Sequence, residues 1–187
     1  DQAVIAIENV RLFKETEEAL EQQTAISDIL RVISESPTDV QPVFDTIAER
    51  AKTLCGAEIG IATRFDGELI HVAATPGMSA EASETTLAAF PMKANRSSLS
   101  GRTILEGVPV QIPDTLADSE YLMQAAAQEA RSGLAVPLLR DGQVVGSLMV
   151  ARKQTGLFPD KQVNLLKTFA DQAVIAIENV RLFKETE

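Results

Sequence analysis

The spacing of apolar residues at the start of the chain predicts one long helix. Residues 1–34 contain neither glycine nor proline and are rich in good helix formers. A seam with alternating steps of four and three residues runs along them, as in a coiled coil. Its members are Leu12, Thr16, Ala19, Gln23, Ile26, Leu30 and Ile33. This helix either covers its own domain or packs in parallel against the same helix of a second subunit, and its length favours the dimer.

Shorter elements are predicted over residues 36–152. Pro37 ends the first helix, and a second helix is expected over 40–54, before Gly56. Alternating apolar residues and the turn signals Asp66-Gly67 and Asp141-Gly142 predict antiparallel hairpins. The expected strands are 58–65, 68–74, 108–112, 134–139 and 144–152. Helices are expected over 79–90 and 97–105, and residues 118–130 are either helical or a mobile lid.

A last helix opens at Phe158-Pro159-Asp160 and can run to the end of the chain. Two apolar seams follow it, so one can pack on a sheet and the other on a partner helix. The first seam consists of Val163, Leu166, Ala170, Ala173, Ile177 and Val180, and the second of Leu165, Phe169, Ala176 and Phe183. The residues that we expect to face a partner helix are Leu12, Ala19, Ile26, Leu30, Ile33, Ala173, Ile177 and Val180. This order of elements predicts an α+β domain, with a central antiparallel sheet of about five to six strands and the long N- and C-terminal helices on one face.

The first seventeen residues, DQAVIAIENVRLFKETE, recur unchanged as residues 171–187. A self-match at a fixed period is typical of modular arrays. We therefore expect residues 1–35 to be a connecting helix, made of the tail of a preceding module and a linker. Residues 36–170 would form the domain, and 171–187 the next connecting helix. Natural repeats drift at solvent positions, so the identity is compatible with a recent duplication and with a deliberate one.

Charge and composition narrow the classes of partner. The formal net charge is −10 and aromatic residues make up only 4% of the chain. Phosphate backbones attract Lys and Arg, and single strands stack on aromatic rings, so we expect no nucleic-acid binding. An anionic membrane surface is disfavoured for the same reason, and no run of about 18 apolar residues is present, so we expect no direct membrane contact. Without a signal peptide, the expected location is cytoplasmic.

One cysteine and one histidine leave little scope for catalysis. Cys55, at the end of a predicted helix, is more often a buried structural thiol than a reactive one. His71 cannot make a zinc site alone, and nearby Glu68 and Asp66 lack a motif spacing. Neither a Ser-His-Asp arrangement nor a phosphate-binding glycine loop is supported. We therefore expect no metal site and no enzymatic activity.

Four stretches resemble the GAF domain, the small-molecule sensor module of phosphodiesterases, cyclases and histidine kinases. Residues 41–56 (QPVFDTIAERAKTLCG) resemble its first helix, and residues 98–114 (SLSGRTILEGVPVQIPD) the short helix and strand that close its pocket. Residues 132–151 (SGLAVPLLRDGQVVGSLMVA) resemble its two late strands, and residues 157–183 its exit helix. The resemblance implies the GAF fold, with a helical excursion over the second face of the sheet. It points most closely to tandem GAF arrays of bacterial sensor histidine kinases and hybrid kinases of two-component systems.

The resemblance places a ligand pocket between the sheet and the excursion. The candidates for its wall, by position, are Ile61, Thr63, Phe65, His71, Ala73, Phe90, Arg96, Ser98, Arg102, Ile112, Asp114 and Tyr121. Arg96 and Arg102 could converge on a carboxylate or phosphate. The alternative is that Arg96 faces solvent and that Arg102 pairs with Asp114 or Glu106.

The resemblance also brings known GAF cofactors into consideration. Cyclic-nucleotide-binding GAF domains carry an Asn-Lys-Phe-Asp-Glu signature, of which Asn95-Arg96 is the nearest match, without the acidic partners. Bilin-binding ones have a Cys, commonly followed by His, where this chain reads AAAQEARSGL, and those that reduce free methionine sulfoxide use more than one thiol. Some gas-sensing ones hold haem through one His, which makes His71 a candidate axial ligand, although a lone His in a strand is more often packed or at the surface. We expect neither bilin, cyclic nucleotide nor haem, and the ligand stays unknown.

The expected function is that of a regulatory small-molecule sensor module in signal transduction. It would form a parallel homodimer through its terminal helices. A ligand would order the excursion between Gly77 and Arg131, and this would shift the exit helix against its partner. The alternative is a GAF spacer with a filled pocket, kept for dimer geometry.

Overall fold

The computed structural model describes residues 1–186 and arranges them around one antiparallel sheet. The strands are β1 (Ile59–Phe65), β2 (Leu69–Ala74), β3 (Met92–Lys93), β4 (Val110–Ile112), β5 (Ser132–Arg140) and β6 (Gln143–Arg152). The helices are α1 (Gln2–Glu35), α2 (Gln41–Leu54), α3 (Ala80–Ala89), α4 (Leu99–Glu106), α5 (Gln124–Ala127) and α6 (Asp160–Glu185). Within these residues, six strands pair in the order β3-β2-β1-β6-β5-β4. The α+β fold predicted from the sequence is confirmed.

The larger core lies between one face of the sheet and the helices α1, α2 and α6. Successive side chains of a strand point to opposite faces, so every second residue of the central strands belongs to this core. Its large members include Phe44, Ile47, Leu134, Val136, Leu148, Leu166 and Phe169. α1 contributes through its second half, where Ala25 and Ile29 are buried, whereas residues 1–17 are exposed.

The smaller core lies on the other face of the sheet, under the excursion formed by α3, α4 and α5. The alternate residues of the same strands, such as Ile61 and Met149, point into it. Residues 118–130, predicted to be either helical or a mobile lid, are helical only in α5. The Asp118 carboxylate accepts the N–H groups of Glu120 and Tyr121 (3.0 and 3.1 Å) and holds a turn there. The two-residue strand β3 was not predicted.

The last helix belongs to the domain over most of its length. α6 runs without a break for 26 residues, and it is buried on one side as far as Val180. The domain therefore extends past residue 170, where the sequence analysis places its end. None of the helices within residues 1–186 is both long and apolar enough to cross a membrane.

Candidate functional site

A small pocket lies between the sheet and the excursion, at the place predicted from the sequence. It encloses about 30 Å³, which is room for about one water molecule. Sites for drug-sized ligands measure roughly 300–1,000 Å³. Phe90 and Met123 from the excursion and Met149 from β6 are among the side chains that line the pocket. A small molecule of ordinary size can therefore enter only if the excursion moves away from the sheet.

The lining residue Thr63 belongs to a buried pair of hydroxyl groups. Thr63 on β1 and Ser147 on β6 are both fully buried, and their oxygens lie 2.6 Å apart. The backbone N–H of Ser147 also donates to the Thr63 hydroxyl at 3.1 Å. Buried polar groups need such partners. The two hydroxyl groups satisfy each other across the strands.

The N-terminus of α4 forms one wall of the pocket. The Ser98 hydroxyl caps this helix by accepting the N–H of Gly101 at 3.0 Å. Gly101 lies so close to the preceding loop that a Cβ atom there would sit 2.1 Å from the carbonyl oxygen of Asn95. The Leu122 N–H donates to the Ser97 carbonyl at 2.9 Å, which ties the later part of the excursion to the same point. The wall is therefore held by backbone geometry rather than by side-chain packing alone.

A buried arginine stabilises the excursion behind this wall. Arg102 is only 4% exposed, and its Nη1 and Nη2 donate to the two carboxylate oxygens of Asp118 at 2.7 and 2.8 Å. Its Nε donates to the carbonyl oxygen of Arg96 at 2.8 Å. The hydrogen bonds from Arg102 lower the pKa of Asp118 to about 2. The bidentate pair fixes the turn that leads into α5.

Tyr121 contributes an aromatic wall that stays neutral. Its side chain is buried beside the pocket, and this burial raises the pKa of its hydroxyl to about 12. The pocket thus combines apolar side chains with uncharged hydroxyl groups.

A family model described as the GAF domain matches residues 37–178 of the chain. The chain belongs to the GAF domain family. The matched segment covers every strand of the sheet and the excursion over it, so the domain described above is the GAF domain.

Solved structures with the same fold come from proteins of different activities. The free methionine-R-sulfoxide reductase of Neisseria meningitidis, solved with its substrate, is 20% identical over 89% of this chain and 93% of its own, with a TM-score of 0.68. The GAF domain of a phosphoenolpyruvate-protein phosphotransferase from Coxiella burnetii is 14% identical over 88% and 96%, with a TM-score of 0.70. A methyl-accepting chemotaxis protein is 22% identical over 86% and 98%, with a TM-score of 0.67. At these identities the likeness shows the fold alone.

Five of the predicted wall residues line the pocket of this GAF domain. They are Ile61, Thr63, Phe90, Ser98 and Tyr121. The remaining lining residues were not predicted, and they are Val72, Thr86, Leu99, Ser100, Met123, Ala126, Ala130 and Met149. Ile112 is buried in the same core without lining the pocket. The pairing of β6 with β1 could have identified Met149, because it lies opposite the predicted wall residue Ile61.

His71 and Phe65 lie elsewhere, so the prediction that they line the pocket is wrong. Both border an open cleft of about 510 Å³ between the two hairpins and α6. Thr63 pairs with Val72 across the sheet, so Val72 faces the pocket and His71 points to the opposite face. The Nε2 of His71 is 3.0 Å from a carboxylate oxygen of Asp66. This placement removes the geometric basis for His71 as a haem ligand in the pocket.

His71 pairs with Arg64 in the regular part of the hairpin, and a register shift follows beyond it. The strand pairs change from Ala62 with Ala74 to Thr63 with Val72, which leaves Ala73 as an extra residue on β2. An extra residue of this kind exchanges the faces of the residues that follow it. Ala73 accordingly packs against the helix-side core, not beside the pocket.

The two arginines do not form an open anion site. Arg96 donates to Glu120 at 2.6 Å and to Glu106 at 3.0 Å, and Arg102 pairs with Asp118. Asp114 is engaged separately, by Arg131 at 3.1 Å. Arg96 is exposed, as the alternative from the sequence states, but Arg102 pairs with Asp118 and not with Asp114 or Glu106. Among residues 1–186, no cluster of three or more His, Cys, Asp or Glu side chains could hold a metal ion.

The structure reassigns the two faces of the exit helix. Ala173 and Val180 are buried in the GAF core, so these two cannot face a partner helix, and Ile177 is half-buried against the same core. The apolar residues of this segment that stay exposed are Ile175, Leu182 and Phe183. On α1, Leu12, Ala19 and Leu30 are exposed, whereas Ile26 and Ile33 are half-buried. On α6, the residues that the sequence predicted to face a partner helix are thus packed in or against the core of their own domain.

Proposed function

We propose that this GAF domain is a regulatory small-molecule sensor module of a tandem-GAF signalling protein, such as a sensor or hybrid histidine kinase. It forms a parallel homodimer and passes conformational change along α1 and α6. The observation that carries the proposal is an exposed apolar stripe on α6, formed by Ile175 and Leu182. Leu182 lies nine residues after the buried Ala173, about two and a half turns away, and so points to the opposite side of the helix.

The same stripe recurs on α1 in the register of a coiled coil. Ile5 and Leu12 are the counterparts of Ile175 and Leu182 in the duplicated segment, and both are exposed. The exposed Ala19 and the half-buried Ile26 follow at seven-residue steps, which is the repeat of a left-handed coiled coil. One face of each terminal helix is therefore available to a second subunit.

Two hydrogen bonds join the segment just before α6 to residues next to the excursion. They support the proposal that a change in the excursion is passed to α6. The Phe158 N–H donates to the side-chain oxygen of Gln111 at 2.8 Å, and the Gly156 N–H donates to the Pro113 carbonyl at 2.8 Å. Gln111 lies on β4, directly after the excursion wall α4. A ligand that opens the excursion would change this contact and shift α6, provided that it binds the two arrangements with different affinity.

The ligand would be uncharged and largely apolar. The charged groups near the pocket, Arg96 and Arg102, are held in ion pairs, and the lining offers hydroxyl groups among apolar side chains. Burying a charged ligand there would leave it without a partner, which is costly.

The mass of the chain in solution tests the dimer. Light scattering after size exclusion should give twice the chain mass. Leu12→Glu and Leu182→Glu should each weaken the dimer at least about tenfold, since a charge would be placed in an apolar seam. Leu157→Glu and Leu116→Glu are matched controls, since both leucines are exposed outside the helices. A monomer at all accessible concentrations would contradict the proposal.

A GAF spacer without a ligand is the second candidate. The volume of the pocket, about 30 Å³, favours it because the arrangement is already nearly filled. Native mass spectrometry of protein purified from its source separates the two functions. A retained small molecule, together with a rise in melting temperature when it is added back, supports the sensor. A bare dimer that no apolar small molecule stabilises supports the spacer.

A further inference from the structure

The first copy of the duplicated segment leaves an apolar face uncovered. Val4 and Val10 are 63% and 58% exposed, and Ile7 is 71% exposed. Their counterparts Val174 and Val180 in the second copy are 6% and 1% exposed. The two segments have the same sequence and are both helical, so their difference in burial comes entirely from what lies next to them.

The second copy shows which surface this sequence fits. α6 packs against β5, α2 and α1, and Val174 and Ile177 of the second copy lie beside Phe44 and Leu138. At the rim, Arg140 at the end of β5 donates to Glu178 at 2.8 Å. The complementary surface is therefore an apolar floor between a strand and a helix, with an arginine at its edge.

We infer that residues 1–17 cover the sheet of a preceding GAF domain in the same polypeptide, in the way that residues 171–185 cover the sheet here. The occupant of the uncovered face is a second domain with an apolar floor between its β5 and α2 and an arginine at the position of Arg140. That arginine would pair with Glu8, the counterpart of Glu178. Within residues 1–186, the one ion pair of Glu8 is with Arg11 of its own helix.

One straight helix can serve both domains. Ile7 and Ala25 are eighteen residues apart, which is five turns of an α-helix, so they point in the same direction about 27 Å apart along its axis. Ala25 is buried in the domain described here, and α1 is unbroken between the two positions. The preceding domain would therefore lie on the same side of the helix as this one.

The inferred contact is compatible with dimerisation, because the two use opposite faces. The exposed stripe of Ile5 and Leu12 stays free when the face of Ile7 and Val10 is covered, as Ile175 and Leu182 stay free in α6. The inference rests on the proposed tandem arrangement, but it requires neither a dimer nor a ligand.

A two-unit chain tests the inference through thiol access. It consists of residues 1–187 followed directly by 18–187, so that the middle copy of the repeat serves both units. Cys55 is replaced by alanine in each unit. Three variants then carry one Val→Cys each, at the same position of the repeat: Val10 in the first copy, Val180 of the first unit in the middle copy, and Val180 of the second unit in the last copy. We expect the middle and last thiols to react with a maleimide at least about a hundredfold more slowly than the first, because a covered residue reacts only through local opening.

Controls distinguish protection by a preceding domain from protection by dimerisation and from the effects of misfolding. An Ile175→Cys in the middle copy should react rapidly in dilute protein, since only the opposite face is covered. Circular dichroism should show the same helix content per unit in every variant. Protection of the middle Val→Cys should persist on dilution, whereas protection by a dimer is lost.

Two results would overturn the inference. One is a middle Val→Cys that reacts as rapidly as the first. The other is a Val10→Cys in the single-unit chain that is protected in concentrated protein and reactive on dilution, because a second copy of the chain would then be the occupant.

Discussion

At the scale of single residues, Arg102 is the buried charge on which the excursion depends. Its guanidinium is enclosed by the turn around Asp118 and the carbonyl of Arg96. A buried ion pair adds little net stability compared with an apolar pair, but the loss of one partner leaves the other charge uncompensated. Its contribution should therefore appear most clearly in the pH dependence of stability.

Asp118→Asn should reduce the loss of stability in acid. Because the pKa of Asp118 is lowered to about 2 from 3.8, its contribution is fully present above pH 3.8 and is lost as the pH falls through about 2. The variant should be less stable than the parent at pH 7, and the two should converge as the pH falls from 4 to 2. Urea denaturation at several pH values measures this, with Glu84→Gln on α3 as a surface control. Parallel curves for the parent and Asp118→Asn would contradict the assignment.

Cys55 should be inert in the folded protein. Its thiol is buried at the end of α2, and this burial raises its pKa to about 12. A thiol reagent should label it only at the rate of unfolding. Cys55→Ala should be better tolerated than Cys55→Ser, because serine would bury a hydroxyl group in an apolar site. Rapid labelling of native protein would show that the end of α2 opens locally.

Strand periodicity explains both the pocket residues that could be predicted and those that could not. Ile61 and Thr63 follow from the period of a strand next to a clear turn signal. His71 was misplaced because its face depends on its pairing with Arg64, and the composition of the turn does not fix the register of the hairpin. The partner of Arg102 depends on how the turn at Asp118 folds back, which is a tertiary effect.

At the scale of elements, the duplicated segment shows how far helical periodicity can predict. The pattern correctly indicated a helix, but its two predicted seams do not lie on separate faces, because Phe169 and Ala176 of the second are buried in the same core as Ala173 of the first. The pattern could not indicate which face meets the sheet, because alanine and valine on one side and isoleucine and leucine on the other are both apolar. In the structure, the side that carries Ala173, Ala176 and Val180 packs on the core, and the side that carries Ile175 and Leu182 is exposed.

The two copies offer an internal comparison of stability. Val180→Ala should destabilise the domain by about 1–3 kcal/mol, since it removes two buried methyl groups and leaves a cavity. Val10→Ala should change stability by less than about 0.5 kcal/mol, because the same residue is exposed there and alanine favours a helix. Chemical denaturation of the single-unit chain measures both. Equal effects of the two substitutions would mean that residues 1–17 are also packed.

At the scale of the whole molecule, two cores share one sheet. The fold could be predicted because long terminal helices and regular hairpins leave few other arrangements for the chain. The volume of the pocket could not be predicted from the sequence, because it depends on how side chains such as Phe90, Met123 and Met149 pack between the layers. The same packing makes any opening of the excursion a movement of several elements together.

Cross-linking can establish how two molecules meet. In a parallel dimer, each seam residue lies next to its own counterpart, so Leu182→Cys and Ile175→Cys in a Cys55→Ala background should form disulfides between subunits under mild oxidation. Ala173→Cys and Val180→Cys should not, because these positions are buried against the sheet of their own subunit. An antiparallel pair would bring each position next to a different one, and neither single variant would then cross-link efficiently. Disulfides at Ala173→Cys but not at Leu182→Cys would restore the arrangement first expected from the sequence and exclude the packing of α6 described here.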